Sequence, residues 1–220
     1  MKKTISLLFA VALLATTAMA QEQEHNSNPW GFNVEFDLGL SAIGGFGNST
    51  DHFAATLPQI DYKQHPTAFA HIGLSDVINY KRFQIGLNIA WSTGGIYSYA
   101  NQYIERNDYH VWLDLGYNFK LSKTLSLNPM VGFGTATSTS YVASGRSGSD
   151  YVGSFTSNNL AVPLTLKLWY NYDDLAIGFF VRYTLFPTQI GETTITGLES
   201  KVDGLRIEPA ALTAGIAFCF

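Results

Sequence analysis

The chain has 220 residues, with 13 basic side chains against 17 acidic ones, five histidines and a single cysteine. The acidic balance leaves no basic track for phosphates, which argues against a nucleic-acid partner. Cys219 cannot form an internal disulfide, and no Cys/His cluster has zinc-ligand spacing, so neither metal nor cofactor is expected. Charged and aromatic residues each make up 14% of the chain, too little charge for an ordinary soluble surface. Yet no stretch after residue 20 approaches the roughly 20 consecutive apolar residues of a membrane-spanning helix.

Residues 1–20 read as an export signal. Lys2 and Lys3 precede a mostly apolar run, Ile5 to Leu14, and Ala18-Met19-Ala20 gives the small-x-small pattern that places cleavage before Gln21. No cysteine stands at that point, so a lipid anchor is not expected. Removing Lys2 and Lys3 leaves 11 basic against 17 acidic residues, a formal charge of −6. Residues 21–29 are then a short periplasmic segment, and residues 30–220 form one domain.

Within that domain the hydrophobic period is two, the mark of a strand with one apolar face. Eight segments show it. The first, Trp30 to Ile43, sets Trp30, Phe32, Val34, Phe36, Leu38 and Leu40 against Glu35, Asp37 and Ser41. The second, Thr67 to Ile78, is the weakest, with Ile72 and Leu74 opposite His71 and Ser75. The third alternates from Phe83 to Ser92 and the fourth from Tyr109 to Phe119, with His110, Trp112 and Asp114 on its more polar side. The fifth, Leu125 to Thr137, turns Val131 and Phe133 to the apolar face. The sixth, Asn159 to Tyr172, opposes its leucines to Thr165 and Lys167. The seventh, Leu175 to Leu185, opposes Ile177, Phe179 and Val181 to Arg182. The eighth, Ala210 to Phe220, carries Leu212, Ile216, Phe218 and Phe220 on one face and stops on an aromatic residue.

The connections alternate in length. Short turns are expected near residues 79–82, 120–124 and 171–174, and long loops over Gly44–Pro66, Gly94–Asn107, Ser138–Ser157 and Pro187–Leu205. Tight periplasmic turns with long extracellular loops are the rhythm of a transmembrane barrel. The first loop could still hide a hairpin near Phe53–Tyr62, which would make ten strands. Pro129, Pro163 and Pro209 are expected near strand ends, because proline cannot donate to a ladder. Aromatic residues sort to two heights, as at the two membrane–water boundaries. The expected fold is an all-β, eight-stranded, antiparallel, up-and-down transmembrane barrel. A soluble sandwich would instead bury the apolar faces against each other.

These alternating segments, the loop rhythm and the ending Ala-Gly-Ile-Ala-Phe-Cys-Phe resemble the small outer-membrane β-barrel proteins, the OmpA/OmpX-like group of Gram-negative bacteria. The Gly- and Tyr-rich strands look like Bacteroidetes members. The resemblance covers essentially all of residues 21–220 and implies a bacterial outer-membrane address. It also implies that Phe218 and Phe220 form the signal read by the assembly machinery.

An eight-stranded barrel is just wide enough for side chains to fill it. Glu35, Asp37, Asp114 and Glu208 are expected inside with Lys167 and Arg182 as their counter-charges, since unpaired buried charge is costly; His71 and His110 join them. Catalysis would need a nucleophile, a histidine base and an orienting carboxylate. Ser75-Asp76 and His71 belong near a periplasmic turn and Asp51-His52 outside, so the sets cannot meet. His71 and Ser75 are roughly 13 Å apart along one strand, and no G-x-S-x-G elbow is present. No enzyme is expected. Gly44–Gly47 and Gly145–Gly148 are loop glycines without a following helix to cradle phosphate, and Asp173-Asp174 reads as a turn. Tyr97, Tyr99, Tyr103, Tyr141 and Tyr151, among small polar neighbours, suit adaptable contact. The reading is a monomer in outer-membrane lipid with a structural or surface-recognition role. Porin-like passive transport is the alternative and lipid A modification the weaker third.

Overall fold

The computed structural model describes residues 30–42, 68–97, 102–144, 150–172, 175–197 and 208–220. Residues 1–29, the first long loop and the turn Asp173-Asp174 lie outside these. Ten strands follow in chain order: β1 (Trp30–Ala42), β2 (Ala68–Tyr80), β3 (Phe83–Tyr97), β4 (Gln102–Tyr117), β5 (Phe119–Lys120), β6 (Leu125–Ser144), β7 (Asp150–Tyr172), β8 (Leu175–Leu185), β9 (Thr194–Thr196) and β10 (Leu212–Cys219). β5 and β9 are short additions to the edges of β6 and β7. The other eight pair antiparallel, each with its neighbour in the chain, and β10 closes on β1.

The stagger of the ring can be counted. From Gly31 the paired residues run Asn79, Gln84, Gly116, Met130, Thr165, Arg182 and Thr213, and return to Ser41, ten residues further along β1. Eight strands with that shear tilt by roughly 40° and enclose a backbone cylinder of about 8 Å radius.

Alternation then decides what meets lipid. The outward residues Leu40, Leu87, Leu113, Leu115, Phe133, Leu166, Phe179 and Ile216 are all exposed, Leu40 by 67% and Phe179 by 66%. Their inward neighbours are buried and mostly polar, among them Glu35, Asp37, Asn88, Asp114, Lys167 and Arg182. A soluble sandwich would show the reverse. The apolar outer belt is ringed below by Trp30 against Tyr80 (4.6 Å between ring centres), Phe83 against Tyr117 (5.1 Å) and Tyr117 against Phe119 (4.7 Å). Above, Trp91 stacks with Tyr109 at 6.4 Å. Aromatic girdles at both edges of a lipid-facing band are what a membrane barrel requires.

Two expectations need correction. Gly94–Asn107 and Ser138–Ser157 are not long loops. β3 and β4 stay paired out to Tyr97↔Tyr103, and β6 and β7 out to Ser144↔Asp150. Apolar alternation stops at the membrane edge, whereas backbone pairing needs no apolar side chain and continues into water. Pro163 is also not near a strand end, because β7 runs for 23 residues. It points inward where the β6–β7 ladder has a gap, between Val131↔Leu164 and Gly134↔Ala161. A residue without an N–H fits that break.

Candidate functional site

Among the described residues, charged side chains converge in the lumen. β1 contributes Glu35 and Asp37, two residues apart and so on the same face. β7 contributes Lys167 and β8 contributes Arg182, both buried, Lys167 completely. Lys167 Nζ donates to Glu35 Oε2 and lies 3.6 Å from Asp37 Oδ1. Arg182 Nη2 donates to Asp37 Oδ2 at 3.0 Å and its Nε to Thr165 Oγ1 at 3.2 Å. The guanidinium also lies 4.4 Å from the Trp112 ring centre and 5.3 Å from that of Phe180, an arrangement favourable to a planar cation. Glu35, Asp37, Lys167 and Arg182 thus form one cluster.

Asp114 faces the same lumen, but its Oδ2 accepts from Asn88 Nδ2 at 3.0 Å. Among the described residues no basic group lies within ion-pair distance of it. Glu208 is not on a strand, since β10 begins at Leu212; its backbone carbonyl accepts from Arg106 Nη2 at the outer mouth. Sequence reasoning misses Arg106 and Asp108, because it places them in the loop Gly94–Asn107 and at its edge. Arg106 Nε lies 3.1 Å from Asp108 Oδ1, and both are buried. The signal was present: Arg106 and Asp108 continue the even-numbered inward face of His110, Trp112 and Asp114.

Ser75 and Asp76 do not come together on β2. Ser75 faces inward and donates to Asn88 Oδ1 at 2.6 Å, whereas Asp76 faces outward and is exposed. Asp51 and His52 lie outside the described residues. A different serine, Ser92, meets His71 Nδ1 at 2.9 Å and shares its hydroxyl with Ser41 at 3.1 Å. A triad would orient the far ring nitrogen with a carboxylate. Here that nitrogen faces Arg182 Nη1 at 3.5 Å. Among the described residues no group of acidic, cysteine and histidine side chains could hold a metal ion.

At the seam the last residue is tied in. Phe220 N donates to Val34 O at 3.0 Å and Val34 N to Phe220 O at 3.2 Å. The Phe220 ring is exposed on the lipid face.

Neisserial surface protein A superposes on this chain with a TM-score of 0.50 at 10% identity, covering 89% of this chain and 97% of its own. A major outer membrane protein from Thermus thermophilus does so with a TM-score of 0.51 at 12% identity, covering 87% and 99%. The fold is that of the small outer-membrane β-barrels. The exposed apolar band between its girdles places this barrel in the same kind of membrane. No protein-family model and no curated protein sequence matches the chain.

Proposed function

We propose that this is a non-conducting, non-enzymatic outer-membrane barrel whose work is done at its outer surface. The observation that carries the reading is the filled lumen. The Lys167–Glu35–Asp37–Arg182 cluster, with Trp112 and Phe180 against the guanidinium, occupies the middle of a cylinder of about 8 Å backbone radius. Such a core stiffens the wall and leaves no solute-wide passage. The β3–β4 and β6–β7 hairpins carry strand pairing beyond the apolar band, and β9 extends that sheet along β7. They present Tyr141 exposed on their outer face, a side chain suited to adaptable contact. One structural neighbour bears the name surface protein.

We place the chain in the OmpA/OmpX-like group, with the Gly- and Tyr-rich strands supporting its Bacteroidetes branch. Phe218 and Phe220 are its contact for the assembly machinery, supported by the exposure of Phe220 at the closing seam. In planar bilayers the purified barrel should give no steady current. A stable unitary conductance would replace this reading with porin-like transport.

A further inference from the structure

Above the ion-paired layer, the chain entering β10 crosses toward the far wall. β4 and β10 stand opposite each other in the ring, with three strands between them on either side. Ala211 is the last residue held in the sheet: its N donates to Ala42 O at 3.0 Å, and its O accepts from Thr184 N at 2.7 Å. At Ala210 the chain has left the ladder, so a buried backbone N–H turns into the lumen and needs an acceptor. Asp108, on β4, supplies it: Oδ2 accepts from Ala210 N at 2.8 Å.

The other carboxylate oxygen is also engaged. Asp108 Oδ1 accepts from Ser138 Oγ of β6 at 2.6 Å and from Arg106 Nε at 3.1 Å. Arg106 in turn donates to the Glu208 carbonyl, so two neighbouring β4 side chains grip the crossing segment at two points. Phe186, just past β8, packs with Ala136, Ala161 and Ala211 at the same level, and His110 lies against it at 6.2 Å, buried beneath. Asp108 itself is fully buried.

We propose that Asp108 is a buckle that fastens residues 208–211 across the outer mouth of the barrel and seals the lumen from the exterior. The seal is separate from the surface role proposed above and stands on these bonds alone. A carboxylate with three donors holds the segment more firmly than any neutral side chain of its size, and the segment covers the lumen only while it is held.

The test uses intact cells carrying the full chain with Cys219→Ser and a reporter cysteine, His110→Cys, one layer below the buckle. A membrane-impermeant maleimide added outside should leave the reporter unlabelled when Asp108 is present. Adding Asp108→Ala should raise the labelling rate at least tenfold, while the unboiled protein still migrates as the folded form in gel electrophoresis. Labelling that is already fast with Asp108 present would overturn the proposal. So would a folded Asp108→Ala barrel whose reporter stays protected. Should Asp108→Ala fail to fold, Arg106→Ala decides the matter: it removes the bond from Arg106 to the Glu208 carbonyl, and faster labelling is expected. Protection equal to that of the parent would refute the seal.

Discussion

Arg182 shows how much of the lumen depends on single side chains. Its guanidinium serves Asp37 and Thr165 while resting on Trp112 and Phe180. Replacing it with methionine removes one of the two cations beside a buried carboxylate. Breaking such a pair from one side typically costs about 3–5 kcal/mol. Arg182→Met should therefore lower the urea midpoint of unfolding in lipid vesicles by that order, with insertion retained. Asp114→Asn should cost clearly less, since Asp114 has an amide partner and no ion pair. Equal losses from the two variants would dismantle the picture of one central cluster. Strand parity made the inward direction of Glu35, Asp37, Asp114, Lys167 and Arg182 readable in the sequence. Which acid meets which base was not readable, because partners on β1, β7 and β8 are chosen by the shear of the closed ring.

The closing seam sets the tolerance of whole strands. Gly39 on β1 and Gly215 on β10 are directly opposite each other. A Cβ on Gly215 would come 2.0 Å from Leu38 O, and one on Gly39 would come 2.4 Å from Ala214 O. Both obstacles are backbone and cannot swing aside, so these strands approach more closely than any side chain permits. Gly215→Val should abolish the folded, heat-modifiable form. Gly31→Ala, whose added atom meets only Asn79 side-chain atoms at 3.7 Å or beyond, should fold normally. A folded Gly215→Val barrel would show that the seam is looser than described. Strand positions within the belt were legible because lipid demands an apolar residue at every second position. The upper halves of β3, β4, β6 and β7 were not, since outside the belt only hydrogen bonding holds the ladder and it leaves little trace in composition.

At the scale of the molecule, the membrane frame gives opposite signs to two charge changes. Asp76 is the one charged residue among the described outward positions between the girdles, four residues along β2 from Tyr80. Asp76→Leu should raise stability by about 1 kcal/mol, and Leu113→Arg, on the exposed face of β4, should lower it by about 2–4 kcal/mol. Unfolding from vesicles would measure both, and a neutral result for Leu113→Arg would mean that this face does not meet lipid. The sequence by itself determined the strand period and which face of each strand meets oil, because a bilayer forces those choices locally, residue by residue; the choice of eight wall strands over ten came with the closure of β10 on β1. Only the tertiary structure decided the shear of ten, the pairing of Lys167 and Arg182 with Glu35 and Asp37, and the reach of Asp108 to Ala210. Each joins residues far apart in the chain, and their distances exist only once β10 has closed against β1.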